Sequence, residues 1–317
     1  MSQKSIYVGA IVNRDLEIFN EIKKFCKTQF NIKIKNLIPK RKGKNGNVGK
    51  FNCKYFKKKV KKYPFSFFIL KLYSEKANTI IYETLRNYAP NIPCLNSVNA
   101  VQVCESRNNT FKLIQEKYKK IYHLHFPKSY YSIEEARKAC EEGKRIIVKL
   151  DVHNSMHIPK KQRILGVSKF LGDFDAILKN YKGSEEDLFF QEYIGRYDII
   201  YKVYVIDKYV ASITAHNRLQ LTDVSPVDLV HMRVPIDQEF KRRILKLGRK
   251  LGMSVFGIDY VLTDKGKRYI VDVNDFPSFR HIPEAVSLIS DYIYKFISDR
   301  EAPGKIPMSL KVKTYLT

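Results

Sequence analysis

FGIDYVLTDKGKRYIVDVND, residues 256–275, is the stretch on which the fold turns. Two apolar runs flank a polar turn, the layout of a β-hairpin. Asp259 and Asp272 nevertheless stand inside those runs, where an ionised carboxylate is costly to keep. If residues 255–274 pair antiparallel around a four-residue loop, Asp264 to Lys267, then Thr263 faces Arg268 and Asp259 falls directly opposite Asp272. Directly opposed residues hold their Cβ atoms ~4.5–5.5 Å apart. Asn274 shares the face of Asp272, because strand side chains alternate. Two like charges that close repel, and one would be driven neutral unless a cation sits between them. Oxygen donors without His or Cys favour Mg²⁺ or Mn²⁺ over zinc. Magnesium takes only one or two carboxylates and fills its octahedron with water and phosphate oxygens. Asp259, Asp272 and Asn274 are therefore the candidate metal ligands. In the alternative, Asp259 ends a strand and Asp272 caps or pairs with an arginine such as Arg268 or Arg280.

Around the hairpin lies a chain of 317 residues, 44% hydrophobic and 28% charged, the composition of a soluble globular protein. No apolar stretch approaches the roughly 18–20 residues needed to span a bilayer, and the first residues lack a signal-peptide layout. The cysteines (Cys26, Cys53, Cys94, Cys104, Cys140) are scattered without a CxxC pair, so reduced thiols are expected rather than a zinc site or disulfide framework. The expectation is a monomeric, cytoplasmic protein. Net charge is +26, no acid occurs from Ile22 to Ser74, and Lys33 to Lys62 holds thirteen Lys or Arg. Such a field attracts nucleic acid, an anionic membrane or a multiply phosphorylated small molecule. A lysine-rich compositional bias is the plainer source of the global excess.

Ser5 to Val12 reads as a buried strand, followed by a helix from about Arg14 to Lys27. Lys40 to Lys62, with GKNGNVGK inside it, reads as a loop or insertion. FSFFILKL (65–72) is a strand, and 75–88 has helical spacing. The first 100 residues thus read β-α-β-β-α, an α/β unit. A helix at about 109–119 follows, then a helix after Ser132 with Glu135 completing a capping box and Gly143 closing it. RIIVKLDV, QRILGVSKFL, DLFFQEYI, YKVYVIDKY and VASITAHN read as strands. A helix at 236–251, stopped by Gly252, precedes the hairpin, and another from about 283 to 298 follows it.

Lys149 interrupts the apolar strand RIIVKLDV and can present its ammonium to phosphates as a point charge, or else snorkel to water. Lys202 likewise stands inside YKVYVID. Phe-Gly-Ile-Asp, a short hairpin, then Asp-Val-Asn and Phe-Pro resembles the C-terminal metal-binding segment of ATP-grasp enzymes. Within that superfamily it is most similar to the inositol 1,3,4-trisphosphate 5/6-kinase family. The resemblance runs from about residue 100 to 298 and implies an ATP-grasp fold, α/β with an α+β C-terminal part, behind a small N-terminal α/β domain. It implies ATP and Mg²⁺, with Mn²⁺ as the substitute. It makes Lys149, Lys202 and Asp272 the catalytic residues. Arg107, Gln191, Glu192 and Ile194 would bind the nucleotide, the main chain of Glu192 and Ile194 reading adenine. Substrate phosphates would fall to Lys202, Arg218, Ser278, His153 and His157. The loop carrying the two histidines has no glycine between Lys144 and Gly166, unlike the Gly-containing loop of the family, and the Asp before the family's nucleotide Arg is missing here.

The expected divisions are 1–100 with the basic insertion at about 40–62, 101–195, 196–300 with the metal site, and a tail, 301–317. The expected activity is phosphoryl transfer from ATP to a hydroxyl of an inositol (poly)phosphate, which needs positioning and charge neutralisation more than covalent chemistry. Lys58 and Lys59 would help hold that polyanion. One rival is an ATP-grasp ligase joining a carboxylate to an amine through an acyl-phosphate. Another, ranked last, is a nucleic-acid-binding protein using the lysines interleaved with Phe51, Tyr55, Phe56 and Tyr63.

Overall fold

The computed structural model describes residues 5–39, 49–117, 124–159, 162–195, 199–216 and 231–301. Arg218 and most of the tail therefore lie outside the described residues. Three sheets organise the rest. The first is parallel, in the order β2-β1-β3-β4, from β1 (Ile6–Val12), β2 (Ile32–Asn36), β3 (Phe65–Lys71) and β4 (Cys94–Leu95). β1 and β3 are near-continuous apolar runs because both faces of the sheet are covered. On one face lie α1 (Leu16–Phe30) and the C-terminal helix α9 (Ala285–Glu301). On the other lie α2 (Cys53–Lys62) and α3 (Thr79–Tyr88).

α2 corrects the expectation of a loop over Lys40 to Lys62. Residues 40–48 lie outside the described residues, but Asn52 starts a helix, its Oδ1 accepting from the Tyr55 amide at 2.8 Å. Phe56 is fully buried beneath that helix and Val60 packs beside it. The i, i+4 pair is the helical signal, obscured in the sequence by lysines at six of the ten positions. The expected β-α-β-β-α has a strand at the place of β2 but lacks α2 and β4, so this unit runs β-α-β-α-β-α-β.

The second sheet, β5-β8-β6-β7, is antiparallel and comprises β5 (Ser129–Tyr130), β6 (Ile146–Leu150), β7 (Ile164–Ser168) and β8 (Leu188–Glu192). It packs on α6 (Ile133–Glu141) and α7 (Leu171–Asn180). Ser132 caps α6 as expected, its Oγ accepting from the Glu135 amide at 3.1 Å while Glu135 accepts from the Tyr131 amide at 3.0 Å. Gly143 closes the turn at φ +79°. α7 begins where the sequence reading ends a strand. Asp173, accepting from the Lys169 amide at 2.9 Å, marks that start.

The third sheet, β11-β10-β9-β12-β13, is antiparallel: β9 (Ile199–Ile206), β10 (Tyr209–His216), β11 (Arg233–Val234), β12 (Val255–Leu262) and β13 (Arg268–Asp275). One face packs on α4 (Val98–Cys104), α5 (Arg107–Lys117) and α8 (Gln238–Leu251). The other shares a core with the first sheet, α1 and α9. That shared core brings the carboxyl ends of β1 and β3 to the end of β13. Among the described residues no helix is long and apolar enough to cross a membrane.

Candidate active site

Lys202, Asp259 and Asp272 form one row across β9, β12 and β13: Lys202 is registered with Asp259, and Asp259 with Asp272. The acid pair is where the sequence places it, by a different route. Leu262, not Thr263, faces Arg268, and the loop is one residue longer than expected. Within it the Thr263 amide donates to the Lys267 carbonyl at 2.9 Å, and Gly266 turns the chain at φ +71°. A bulge at Val271 then restores the register before the acids are reached. The bulge leaves Val271 out of the ladder, and its carbonyl accepts from Lys149 Nζ at 3.4 Å.

Basic side chains face both acids. Asp259 Oδ2 accepts from Lys202 Nζ at 3.0 Å. Asp272 Oδ1 lies 3.6 Å from Arg107 Nε and 3.3 Å from His153 Nδ1. Burial works to raise the pKa of Asp272, but His153, Arg107 and Lys149 outweigh it and hold the carboxyl well below its usual range. Arginine pairing is thus part of the answer, with Arg107 as the partner. Arg268 pairs with Asp237, and Arg280 with Asp15.

The same residues fit a hard cation. Asp272 Oδ1 is buried and has no hydrogen-bond donor among the described residues. Asn274 Nδ2 donates to Asp272 Oδ2 at 3.2 Å, which sets the amide beside the carboxylate. Among the described residues no group of three His, Cys, Asp or Glu suits a metal. The candidate donor set is Asp259, Asp272 and Asn274, which would be an oxygen-only one.

Lys149 is buried on β6, and its Nζ donates to Gln191 Oε1 at 3.0 Å across the ladder to β8. Burial lowers its pKa to about 8, against the pull of Asp272 and Asp259. At the end of β8 the Glu192 amide donates to the Lys128 carbonyl at 2.8 Å and the Tyr193 amide to the Arg145 carbonyl at 2.7 Å. The Ile194 amide has no acceptor among the described residues, so it is the main-chain donor left for a ligand.

Arg107 opens α5 and is buried; its Nη1 donates to the Leu150 carbonyl at 2.6 Å and to the Val152 carbonyl. Asp151 clamps the same junction, accepting from the Asn108 amide at 2.7 Å and the Ser106 hydroxyl at 2.6 Å. The glycine-free loop that follows is held by Arg163, which donates to the carbonyls of Ile158 (3.0 Å), His153 (2.6 Å) and Ser155 (2.9 Å). It is tied to the first sheet as well, the Ser74 amide donating to the Asn154 carbonyl at 2.6 Å. His153 is buried against Asp272 as a result, whereas His157 is exposed and does not join it.

Ser278 lies half-buried between Phe276 and Phe279, both with positive φ (32° and 55°). Lys58 and Lys59 are not brought to the acids. They sit in the C-terminal half of α2, toward the amino end of β3, with Lys59 over the rings of Tyr55 and Tyr63. In their place the carboxyl ends of β1 and β3 supply Arg14 and Lys71. Arg14 donates to Asp275 at 3.1 Å, and Lys71 lies 3.2 Å from Asp15 and donates to the carbonyls of Phe276 (2.5 Å) and Pro277 (3.0 Å). Burial lowers the Lys71 pKa to about 7. A lysine inside the apolar run FSFFILKL was the available signal for Lys71, the one used for Lys149 and Lys202. Arg14 and Asp15, in a loop, offered none.

A parallel N-terminal sheet followed by two antiparallel sheets, with this cluster between them, is the ATP-grasp fold. Solved ATP-grasp structures superpose on nearly the whole chain at low identity. D-alanine–D-alanine ligase of Bacillus anthracis, complexed with ATP, gives a TM-score of 0.62 at 14% identity over 92% of this chain and 97% of that one. A RimK domain ATP-grasp protein of Sphaerobacter thermophilus gives 0.59 at 13%, over 91% and 99%. A RiPP-associated ATP-grasp ligase of Chryseobacterium gregarium, in complex with ADP and a leader and core peptide, gives 0.60 at 11%, over 95% and 100%. In sequence, residues 227–295 match the inositol 1,3,4-trisphosphate 5/6-kinase ATP-grasp domain. No curated protein matches the chain.

Proposed function

We propose that this protein is a Mg²⁺-dependent kinase that transfers the γ-phosphoryl group of ATP to a hydroxyl of an inositol polyphosphate. The observation that carries the reading is the row Lys202–Asp259–Asp272, with Asn274 beside it and Lys149 and Arg107 behind it. Asp259, Asp272 and Asn274 would hold Mg²⁺, which when bound neutralises charge on the ATP phosphates. Lys149 and Lys202 add fixed positive charge on either side of the acids, and the Ile194 amide is the donor for the base. The acceptor's hydroxyl oxygen bonds to the γ-phosphorus as the bond to the bridging oxygen breaks. ADP and the hydroxyl proton leave. On the segment that leads to Ser278, Arg14 and Arg280 face the acids Asp15 and Asp275, and the buried Lys71, its pKa lowered to about 7, adds part of a further positive charge.

A carboxylate–amine ligase would use the same nucleotide and metal residues, and several of the structurally similar proteins are named as ligases. Asp-Val-Asn followed by Phe-Pro, inside the matched 227–295 segment, favours the kinase. The products separate the two. A kinase yields ADP and a phosphorylated acceptor without free phosphate, whereas a ligase releases phosphate with each ADP. The test is Mg²⁺-ATP turnover over a panel of inositol phosphates and of amino acids and peptides, with Asp272→Ala as the inactive control. Turnover with amino acids or peptides alone, accompanied by free phosphate, rejects the kinase.

A further inference from the structure

Lys33, Lys35, Lys59 and Lys62 form a second charged surface, away from Asp259 and Asp272. β2 is the free edge of the first sheet, and its Lys33 and Lys35 alternate with the buried Ile32 and Ile34. Lys33 is registered with Tyr7, and the Tyr7 ring lies 4.9 Å from that of Tyr63, the residue ending α2. Lys33 Nζ stands 5.8 Å from the centre of the Tyr7 ring, and Lys35, Lys59 and Lys62 stand 5.6, 5.8 and 5.7 Å from that of Tyr63. Lys59 also lies 5.1 Å from Tyr55. Among the described residues none of these four lysines forms a salt bridge, and Lys33 Nζ donates to the Ser5 hydroxyl at 2.8 Å. Tyr7 pairs with Phe65 at the amino ends of β1 and β3, whereas Val12 and Lys71 mark the carboxyl ends. Lys33 and Lys35 are registered with Tyr7 and Gly9, so three to five strand steps, roughly 10–17 Å, part this face from the ends that carry Arg14 and Lys71.

We propose that this face binds the phosphate backbone of single-stranded nucleic acid, at a site separate from the nucleotide site. Ammonium groups interleaved with aromatic rings are the arrangement by which proteins track a single strand without reading its sequence. β2 and α2 contain no arginine, so the face offers point charges for phosphates rather than planar forks for base edges. A membrane surface fits less well. A helix lying in a bilayer interface needs an outward apolar face, and α2 turns Phe56 and Val60 into the core. The large apolar side chains that are exposed lie on other elements.

Fluorescence anisotropy of a labelled 20-nucleotide oligo(dT) or oligo(U), titrated across salt, tests the assignment. The variant Lys33→Gln/Lys35→Gln/Lys62→Gln is compared with Lys24→Gln/Lys27→Gln/Lys246→Gln, which carries the same change of net charge elsewhere. At about 0.7 per phosphate contact, the first variant should lose about 2 from the slope of log K against log salt, and the second should keep the wild-type slope. Tyr55→Leu should weaken binding about tenfold without altering the slope, and thermal melts confirm that each variant folds. Equal losses in the two triple variants overturn the proposal, because net charge alone is then responsible. So does oligonucleotide binding that lacks salt dependence, or a preference for polyglutamate or phosphatidylserine vesicles that the first triple variant abolishes.

Discussion

Replacing Asp272 with Asn separates the two ways in which this carboxylate can be compensated. Asn preserves its volume and the neighbouring Asn274 but leaves Arg107 and Lys149 facing a neutral group. At 3.6 Å, Arg107 and Asp272 attract by about 4–5 kcal/mol in a medium of effective dielectric about 20. Desolvation returns part of that, and removing one member of a buried pair typically costs ~3–5 kcal/mol because the other charge stays behind. The expected loss is about 3 kcal/mol without metal or nucleotide, a shift of about 1 M in the urea midpoint for a slope of about 3 kcal/mol/M. Arg107→Met has a cost of its own, because it frees the Leu150 and Val152 carbonyls, but combined with Asp272→Asn it should lose less than the sum of the two, with a coupling of about 2 kcal/mol in the double-mutant cycle. The assay is urea unfolding in EDTA, repeated with saturating Mg²⁺ and ADP. Ligand at a hundred times its dissociation constant should stabilise wild type by about 2.7 kcal/mol and Asp272→Asn by almost none. An Asp272→Asn midpoint equal to wild type in EDTA refutes the reasoning, since Arg107 and Lys149 would not then be what holds the charge.

Glu105 accepts from the Tyr82 hydroxyl at 2.5 Å and from Asn78, and burial raises its pKa from 4.5 to about 7. Between those values the folded chain keeps a proton the unfolded chain has lost, so the stability contributed by Glu105 falls as pH rises through the window. Glu105→Gln should match wild type at pH 5 and exceed it by about 2–3 kcal/mol at pH 8; parallel unfolding profiles at the two pH values would remove the argument. Lys71→Met leaves Asp15 to Arg14 and Arg280 alone and frees the Phe276 and Pro277 carbonyls, for an expected loss of about 2 kcal/mol, chiefly from the unsatisfied carbonyls; a change in melting temperature of only a degree or so contradicts it. Arg163→Met removes the three carbonyl contacts of the 153–158 loop. Its amides should exchange about tenfold faster while those of β6 are unchanged, and uniform exchange rates show that the loop is held by something else.

The parts of the site that follow a strand period were legible in the sequence. Lys149, Lys202, Asp259 and Asp272 each interrupt an apolar alternation, and such an interruption demands a partner whatever the fold. Their partners came largely from elsewhere in the chain. Arg107 reaches Asp272 from the start of α5 and His153 from a loop, across separations at which no local pattern carries information. The acid pairing also survived an error in the turn. A loop one residue too short was cancelled by a bulge at Val271, because burying one face of the hairpin constrains which residues oppose one another more tightly than the turn does.

The lysine-rich segment failed for the opposite reason. Charge dominates its composition, yet its structure is set by a minority of residues: Asn52, Phe56 and Val60 make α2, and Ile32 and Ile34 make β2. Once those elements form, the lysines cannot all serve one function. At the carboxyl ends of β1 and β3, Arg14 and Lys71 meet Asp275 and Asp15, whereas Lys33, Lys35, Lys59 and Lys62 lie against Tyr7 and Tyr63. A charge count cannot separate these two sets, because the direction of the strands decides which cations are buried against acids and which lie among tyrosines.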